Sequence, residues 1–348
     1  MRLANSTRSF PARNSAFTKQ LLRQVRAVLL GLSLLLLILI VFLYWRQPDL
    51  FAIITIWPRW VWLGPGVVLA LAGWSRARKR TANLLLILWL CYLLFFLEEP
   101  HSLVRFGPWP SPGWQAARAR GQAFRLVSLN CAGSARAVAE VKQYHPDLLL
   151  LQESPNKESV QALAREIFGP DYGVAWSRDA SILLRGSIIP AHTTRPEFFL
   201  RARALLAAGP EVEVVSTHLL SNIYDFELWN GEAWIRHTQR RRQHRGQIQE
   251  IVQQLATVPP TAPLIVGGDF NSPPGDAIFR LLQPRLRDAF RQAGRGWGNT
   301  VLNNRPVVRI DQVWINDRLR ADAVVTRRTQ YSDHRLVVCD LMVQDQAR

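Results

Sequence analysis

The chain has 348 residues, of which 48% are hydrophobic and 20% are charged, and this composition is too apolar for a disordered protein. Its three cysteines cannot form a disulfide framework, and no CxxC pair indicates a zinc site. The net charge of +17 is weak support for nucleic-acid binding, because 15 basic and only 3 acidic residues lie in residues 1–120, whose composition is membrane-like.

Three apolar runs occupy the N-terminal third of the chain. Residues 27–45 carry no charge and form a run long enough to cross a bilayer of roughly 30 Å. Pro58 interrupts a second run over residues 51–74, so its spanning part is predicted at residues 60–74. Residues 81–97 form the third run. The alternatives are a buried helical bundle and, for the first run, a signal peptide. The length of the runs and the 26 residues before the first one disfavour both.

Residues 27–99 are therefore predicted to form an all-α anchor with about three transmembrane helices, which contacts the lipid bilayer of the cell inner (plasma) membrane through residues 27–97. Basic residues mark loops that stay in the cytoplasm. Six lie in the tail, residues 1–26, and four lie in residues 75–80, whereas two glutamates follow the third run. Three crossings place the rest of the chain on the extracytoplasmic (periplasmic) side. If the second run does not cross, that part of the chain is cytoplasmic.

Residues 100–122 are rich in proline, glycine and arginine and have no apolar period, which is typical of a linker. The pattern then changes, and residues 123–344 contain short apolar strands that end in polar residues. We predict strands at residues 124–129, 147–151, 181–184, 211–216, 264–266, 310–315 and 336–341, and helices at residues 135–144 and 240–255. A separate C-terminal domain is therefore expected after the linker.

Polar side chains stand at the ends of these predicted strands. They are Asn130, Glu153 and His218, then Asp269 with Asn271, and finally Asp333 with His334. Such a series suggests a site along one edge of a sheet. Hard oxygen ligands without a thiolate cluster suit Mg²⁺ or Mn²⁺ rather than zinc, and histidines can position or deprotonate water. Taken singly, each residue also has an ordinary structural explanation, such as an Asx turn or the first exposed position after a strand.

The order and spacing of these residues resemble the endonuclease/exonuclease/phosphatase superfamily. Its members are metal-dependent phosphoesterases that include pancreatic deoxyribonuclease, exonuclease III, inositol polyphosphate 5-phosphatases and neutral sphingomyelinases. The resemblance covers about residues 124–342. The matching motifs are Asn130 in SLNCAG, Glu153 in LLLQES, His218 in STHLL, Asp269 and Asn271 in GGDFNSPP, Asp311 in RIDQVWI, and Asp333 with His334 in YSDHRLV. No member of the set is missing, which argues against a degenerate binding module.

The resemblance implies a fold and a metal site. The fold is a four-layer α/β sandwich, in which two mixed, mostly antiparallel sheets lie between helices. Glu153, helped by Asn130, would hold a divalent metal, Mg²⁺ or Mn²⁺, on a phosphate oxygen. Asp333 would contact the metal or water.

The resemblance also implies how a phosphoester would be attacked. Asp269 and the His334–Asp311 pair would position and activate the attacking water. Asn271 and His218 would bind the substrate and stabilise the charge that develops on the phosphorus oxygens. These roles are physically coherent, because phosphoester hydrolysis needs charge neutralisation and in-line alignment of water.

The predicted function is hydrolysis of a phosphoester by a membrane-anchored, nuclease-like phosphodiesterase. His218 stands where the exonuclease III-like abasic endonucleases usually have tyrosine, so the site looks closer to the deoxyribonuclease and sphingomyelinase types. The alternatives are a lipid or inositol phosphoesterase and a non-catalytic membrane scaffold that keeps the fold. Nucleic acid and a phospholipid headgroup are both open as substrates, and no protein partner is predicted.

Three further features bear on the substrate and the compartment. Residues 221–239 are rich in aromatic residues and form either a capping loop or a wall that stacks a base or touches lipid. The basic run at residues 240–242, with Arg245, is either a solvated helix face or a surface that attracts a polyanion, and one of its arginines could reach inward. Cys131 and Cys339 lie in or beside predicted buried strands, so we expect two shielded thiols.

Overall fold

The computed structural model describes residues 13–190, 198–207, 209–222 and 227–344. The chain forms two compact units. One unit contains the described residues up to Trp45 and Arg59–Leu97, and the other contains Arg46–Pro58 and the described residues from Glu98 onward. The first residues of the second apolar run therefore belong to the C-terminal unit and not to the predicted anchor.

The described part of the chain contains ten α-helices and eleven strands. The helices are α1 (Arg13–Arg46), α2 (Ala52–Thr55), α3 (Leu63–Ala72), α4 (Lys79–Phe96), α5 (Glu99–Leu103), α6 (Pro112–Ala119), α7 (Ala135–Ala139), α8 (Lys157–Phe168), α9 (Gly231–Leu255) and α10 (Ala289–Ala293). The strands are β1 (Ala123–Asn130), β2 (Leu148–Gln152), β3 (Tyr172–Trp176), β4 (Ala180–Pro190), β5 (Phe199–Leu206), β6 (Glu211–His218), β7 (Leu264–Asp269), β8 (Arg287–Asp288), β9 (Asp311–Ile315), β10 (Leu319–Arg327) and β11 (Leu336–Val343).

The N-terminal unit is built from α1, α3 and α4. Two of its helical stretches, Phe17–Arg46 and Arg76–Phe96, are long and apolar enough to cross a membrane. A third crossing is available if Asp49–Thr55 and Arg59–Ala72, which meet at a bend of 76°, act as one span. The first and third predicted runs are thus continuous helices, whereas the second is broken.

The three helices of this unit meet at a contact among Ser33, Gly66 and Trp89. The Ser33 hydroxyl donates to the Gly66 carbonyl over 2.8 Å and accepts from the Trp89 indole N–H over 3.0 Å. A Cβ at Gly66 would lie 1.9 Å from the Trp89 ring. The missing side chain therefore permits the close approach of α3 and α4, as small residues do between membrane helices.

The C-terminal unit contains two β-sheets that share strand β4. The strand order is β10-β11-β1-β2-β4 in the first sheet, where β3 also pairs with β4, and β4-β5-β6-β7-β9-β8 in the second. The pairs β1–β2 and β6–β7 are parallel, and the other pairs in the described chain are antiparallel. The sheets are therefore mixed and mostly antiparallel, as the resemblance implies.

Four layers follow from the apolar faces of the two sheets. The central core contains Leu150 from the first sheet and Ile265 from the second. The outer face of the first sheet packs on α7 and α8, and that of the second packs on α9 through residues such as Ile248. Strands β1 and β2 are buried along their whole length, which explains their continuous apolar sequences. Cys339 lies in the central core and Cys131 in the outer one, and both thiols are buried and free, as predicted.

Two glycines allow strand β7 to reach the edge of the sandwich. Gly268 has a φ of +141°, and a Cβ there would lie 2.0 Å from the Thr217 carbonyl oxygen of β6. A Cβ at Gly267 would lie 2.7 Å from Leu150 in the facing sheet. The close approach that these glycines permit brings the next residue, Asp269, to the place where the two sheets meet.

Residues 100–122 are more ordered than the predicted linker. The indole of Trp114 in α6 is buried and donates to the Leu341 carbonyl over 3.2 Å. Glu98, just before α5, pairs with Arg309 over 2.8 Å, and Arg309 also pairs with Asp288 over 2.7 Å. The C-terminal unit therefore includes the residues from Glu98 onward, in addition to Arg46–Pro58. The sequence obscured this because the few buried side chains lie among prolines, glycines and arginines.

Adding a methyl group at Gly66 is expected to lower the stability of the N-terminal unit. Gly66→Ala places a Cβ against the Trp89 ring, and overpacking of this kind costs about 1–3 kcal/mol. The measurement is the midpoint of thermal unfolding of the full-length protein in detergent micelles. Gly64→Ala is the matched control, because a Cβ at Gly64 has no atom within 4 Å. Equal midpoints for the two variants would contradict the tight contact.

Candidate active site

The strand ends of both sheets converge at one edge of the C-terminal unit. Because β1 and β2 run parallel, their carboxyl ends lie side by side, and Asn130 pairs with Gln152. The parallel strands β6 and β7 likewise place His218 opposite Asp269. Strand β9 runs antiparallel to β7, so its first residue, Asp311, also lies opposite Asp269. The register of the strands therefore brings the predicted site residues at their ends close together.

The side-chain amide of Asn130 joins the two sheets at this edge. Its nitrogen donates to Glu153 Oε1 over 3.0 Å and to Asp269 Oδ2 over 3.1 Å. Its oxygen accepts from the backbone N–H of Ala132 over 3.1 Å. Asn130 is only 1% exposed, so these three hydrogen bonds fix the orientation of the amide and hold two carboxylates at a single donor.

His334, Asp311 and Asp269 form a buried group beside this amide. His334 Nδ1 lies 2.9 Å from Asp311 Oδ2, and it is the donor because a carboxylate can only accept. His334 Nε2 faces Asp269 Oδ2 over 3.8 Å. One ligand atom from each of the three residues lies within 4.8 Å of the others. The imidazole is therefore held by one carboxylate and directed at another.

Burial and neighbouring charges change the ionisation of this group. Burial raises the pKa of Asp269, and the nearby Asp311 carboxylate raises it further. Burial alone would lower the pKa of His334, but the charge and hydrogen bond of Asp311 raise it to about 10. At neutral pH His334 is therefore an imidazolium, and Asp269 takes up a proton at a higher pH than an exposed aspartate does.

His218 and Asn271, the predicted substrate-binding residues, both lie beside Asp269. His218 Nε2 is 3.7 Å from Glu153 Oε1 and 3.9 Å from Asp269 Oδ2, and it is buried without a hydrogen-bond partner among the described residues. The backbone N–H of Asn271 donates to Asp269 Oδ1 over 2.8 Å, and its side-chain amide donates to the Leu219 carbonyl over 2.9 Å.

Two of the site residues have a left-handed backbone. Glu153 has a φ of +48° and Asn271 a φ of +47°. Residues with a Cβ seldom adopt this conformation, and glutamate does so less readily than asparagine. Glu153 directly follows β2 and Asn271 lies two residues after β7, so the change in chain direction presents their side chains at the edge of the sheets. Such strain is typical of functional sites.

The residues at this edge fit a hard divalent cation. Glu153 and Asp269 offer carboxylate oxygens, which Mg²⁺ and Mn²⁺ prefer, whereas the Asn130 amide presents its nitrogen to them and its oxygen to the Ala132 N–H. The Glu153 side chain is 44% exposed and can be reached from solvent. Asp311 Oδ1 is buried without a hydrogen-bond partner among the described residues, which leaves an unsatisfied oxygen in the group.

Asp333 is adjacent to His334 in the chain but is exposed, unlike the buried group. Its backbone carbonyl accepts from the N–H of Asn303 over 2.7 Å. It is not part of the buried group formed by Asp269, Asp311 and His334. Its negative charge contributes to the raised pKa of His334.

The aromatic segment over residues 221–239 is described except for residues 223–226. Trp229 is 85% exposed, whereas the Trp234 ring packs edge-on against Phe51 with centroids 5.7 Å apart. The segment is therefore partly a packed cap and partly an exposed apolar surface.

The basic run on α9 is partly neutralised within the chain, because two carboxylates, those of Asp276 and Asp49, pair with three of its four arginines. Arg241 is buried and points inward to Asp276, with Nη2 and Oδ2 2.9 Å apart. Arg245 Nη2 lies 2.5 Å from Asp49 Oδ1, and Arg242 Nε lies 3.6 Å from Asp49 Oδ2. These carboxylates offset about half of the positive charge that could attract a polyanion. Arg241 is the inward-reaching arginine that the sequence could not identify.

Sequence reasoning missed two residues that hold the site together. The Ser332 hydroxyl donates to the Asn130 carbonyl over 2.7 Å and accepts from the His334 backbone N–H over 3.0 Å. The Thr300 hydroxyl accepts from the backbone N–H of Asp311 over 3.2 Å. Ser332 lies in a recognised motif, but its partner Asn130 is 202 residues away, and no local pattern signals such a bond.

His244 on α9 was also missed, and it links two site loops. Its Nε2 lies 2.7 Å from the Leu220 carbonyl and its Nδ1 lies 2.9 Å from the Ser272 hydroxyl. Since a carbonyl only accepts, Nε2 donates and Nδ1 accepts. Burial lowers the pKa of His244, which favours this neutral form. The helix thus holds the chain after His218 against the chain after Asn271.

Comparison with known proteins identifies the family. The model of the Endonuclease/Exonuclease/phosphatase family matches residues 127–334, which is more than half of the chain. A search of curated proteins found no match. Similar solved structures include TDP2 of D. rerio complexed with single strand DNA product (18% identity, 63% of this chain and 98% of that chain, TM-score 0.47) and the endonuclease/exonuclease/phosphatase from Bacteroides vulgatus (14% identity, 64% and 99%, TM-score 0.49).

The matched range contains all eight predicted site residues, from Asn130 to His334. Enzymes of this family depend on divalent metals, and a buried group of acidic residues and histidine is present in this chain. The two mixed sheets between helices also agree with the fold of the family. The chain belongs to the endonuclease/exonuclease/phosphatase family and is a phosphoric ester hydrolase.

Proposed function

We propose that this hydrolase is a membrane-anchored, nuclease-like phosphodiesterase that uses Mg²⁺ or Mn²⁺ and faces the extracytoplasmic side of the cell inner membrane. The observation that carries the proposal is the Asn130 amide, which brings Glu153 and Asp269 together beside the His334 imidazole. Hydrolysis of a phosphodiester requires charge neutralisation and an aligned water, and this edge has groups for both.

Glu153 and Asn130 are the residues that we assign to the metal, with the Oδ2 atom of Asp269 adjacent to both. When bound, the ion would supply positive charge at a non-bridging phosphate oxygen. The left-handed backbone of Glu153 presents its carboxylate to solvent at the edge, where an ion and a substrate can enter. We assign Asp333, whose side chain is exposed, to contact with the ion or with water.

Asp269 and His334 are assigned to the attacking water. The raised pKa of Asp269 makes its carboxylate a better proton acceptor than an exposed aspartate. Asp311 holds the imidazole by its Nδ1 atom, so that Nε2 is free to orient the water against Asp269. In this arrangement the Asp269 carboxylate accepts the proton of the water, and His334 orients the water molecule.

His218 and Asn271 are assigned to the phosphate oxygens that gain charge. The Nε2 atom of His218 is buried at the site and makes no hydrogen bond among the described residues, so it can donate to a bound phosphate. The Asn271 amide uses one hydrogen for the Leu219 carbonyl and retains a second for substrate. Both groups are held before the reaction, which reduces the reorganisation that charge stabilisation requires.

A nucleic-acid phosphodiester is the leading substrate, and a lipid phosphoester is the second candidate. The second is favoured by exposed apolar side chains in the chain that follows His218, since Trp229 is 85% and Ile235 57% exposed. Such side chains can enter the interface of a bilayer or stack on bases. Assays of the full-length enzyme on plasmid DNA, RNA, sphingomyelin and inositol phosphates separate these substrates.

The contacts of residues 46–58 support an extracytoplasmic active site. These residues pack within the C-terminal unit, so they lie on its side of a membrane. One crossing by α1 then places the N-terminal tail on the opposite side, where its basic residues favour the cytoplasm. Residues 59–97 leave and return to the same side, so a spanning α4 requires a second crossing within Arg59–Ala72, a stretch that at about 1.5 Å per residue is shorter than a bilayer of roughly 30 Å. The basic residues between α3 and α4 agree with this path.

Glu153→Gln is expected to lower metal-dependent hydrolysis by about two orders of magnitude, because a neutral amide is a much weaker ligand for Mg²⁺ than a carboxylate. The assay is hydrolysis of bis-p-nitrophenyl phosphate by the full-length protein in detergent, with Mg²⁺ or Mn²⁺ and with excess chelator. Glu158→Gln, at an exposed position on α8, is the control. Undiminished wild-type hydrolysis in chelator would refute the metal assignment.

Asp311→Asn is expected to lower the pKa of His334 from its value of about 10, because the variant removes the charge that raises it. Turnover should fall by about tenfold or more, with little change in KM, since His334 would lose the charge that keeps the imidazole ionised. Steady-state kinetics and NMR titration of the imidazole provide the two readouts. An effect confined to KM would show that Asp311 acts on binding instead.

The same pKa shift gives a stability prediction for the metal-free protein. A raised folded-state pKa means that the His334–Asp311 pair stabilises the fold below pH 6.5, and that this contribution is lost as the pH rises toward about 10. The thermal midpoint of the wild type should therefore fall more between these pH values than that of Asp311→Asn. Parallel pH curves for the two proteins would contradict a charged pair.

Reporter fusions test the orientation of the enzyme. A reporter that functions only after export should be active when fused after Arg348 or within residues 46–58, and inactive when fused near Arg78. The opposite reporter, which functions only in the cytoplasm, provides the control at each position. Activity of the cytoplasmic reporter at Arg348 would place the active site in the cytoplasm.

A further inference from the structure

A short segment that follows the first apolar run and includes the start of the second is part of the C-terminal unit. Residues 47–55, here named the docking segment, lie along α9. Its Ile53 is fully buried, and its Phe51 ring packs edge-on against Trp234 of α9. The Thr238 hydroxyl of the helix donates to the Asp49 carbonyl over 3.1 Å. The segment is therefore packed on the helix by apolar and polar contacts together.

Asp49 pairs the docking segment with the basic face of α9. Its two carboxylate oxygens accept from Arg245 over 2.5 and 2.9 Å in a bidentate arrangement, which gives direction as well as charge. The hydrogen bonds from Arg245 hold the pKa of Asp49 below its usual value. Asp49 is thus ionised at neutral pH and is the principal acidic group that this segment presents to the helix.

Arg241 connects the docking segment to the loop that follows Asn271. Its guanidinium is buried and donates to the Asp276 carboxylate over 3.0 Å, to the Pro48 carbonyl over 3.3 Å and to the Thr55 hydroxyl. Two of its three partners therefore come from the docking segment. A buried arginine needs all of its partners, because an unsatisfied buried donor is costly.

The docking segment also contacts the same loop directly. The Gln47 side chain donates to the Gly275 carbonyl, and Asp276 accepts from the backbone N–H of Ile278 over 3.1 Å. Four residues separate Asp276 from Asn271, whose backbone N–H donates to Asp269. The loop is thus fixed at one end by Asp269 and at the other by Arg241 and the docking segment.

We propose that the docking segment is a positioning element of the active site: through Asp49 and Arg241 it holds the loop of residues 271–276, and thereby Asn271, in its working geometry. Among the described residues, the contacts of the segment are with α9 and Gly275 and not with Glu153, Asn130 or His334, so it acts through the loop. The proposal rests on the proposed function, because the rate that it affects is that of phosphoester hydrolysis. Full activity then requires the docking segment as well as the residues from Glu98 onward.

The experiment uses Asp49→Arg in the full-length protein in detergent. The new arginine would face Arg241, Arg242 and Arg245 and should expel the segment by repulsion between like charges. Hydrogen exchange should become faster in peptides covering residues 47–55 and 271–276 and stay unchanged in β1, which monitors the fold. With bis-p-nitrophenyl phosphate, kcat should fall by about tenfold while KM changes little, as expected for a displaced catalytic group.

Two matched variants make the readouts specific. Asp49→Glu keeps the charge and should retain most of the wild-type kcat and exchange. Leu50→Ala changes a neighbouring side chain that is 58% exposed and should leave both unchanged. Faster exchange in residues 47–55 with unaltered exchange in residues 271–276 and unaltered kcat would overturn the proposal, and so would a segment that stays protected in Asp49→Arg. Absence of metal-dependent hydrolysis in the wild type would instead refute the proposed function, while the exchange measurement would still test the positioning.

Discussion

The candidate active site depends on one amide that donates to carboxylates from two sheets. Glu153 follows a strand of the first sheet and Asp269 ends a strand of the second, and two buried or half-buried carboxylates would repel each other without a donor between them. Asn130 supplies that donor. The facing strands can approach so closely only because Gly267 has no side chain to meet Leu150. Packing in the core therefore determines the distances at which the chemistry operates.

The sequence predicted the residue types of the site and their order, because each stands where an apolar strand gives way to polar residues. It predicted less of the fold. Strand β5 was not predicted, because Arg201 and Arg203 interrupt its apolar pattern. In the structure both arginines pair with Glu213 of β6. The first turns of α9 were not predicted, because their residues are mostly polar and show no apolar face. Contacts such as that of Ser332 with Asn130 could not be predicted, since strand register rather than local sequence sets them.

The acidic residues near the apolar runs show how the same residue can be interpreted in two ways. Glu98 follows the third run, and its charge suggested only an orientation in the membrane. In the structure it pairs with Arg309, a buried arginine that a second carboxylate, Asp288, also contacts. A buried guanidinium needs such partners whether or not a membrane is near. Composition alone cannot separate these two roles, because the partner lies more than 200 residues away.

The docking segment has a consequence for the order in which the chain folds. Asp49 and Arg245 are separated by 196 residues, so the ribosome releases the segment long before its helix exists. Closing so long a loop has a large entropic cost, and it becomes favourable only after the sheets have brought α9 into place. The docking segment therefore stays exposed, with Asp49 not yet paired with Arg245, while the rest of the unit assembles. Its docking is thus a late event of biosynthesis. In the nascent chain the sheets and α9 assemble first, and the docking segment packs on α9 afterwards.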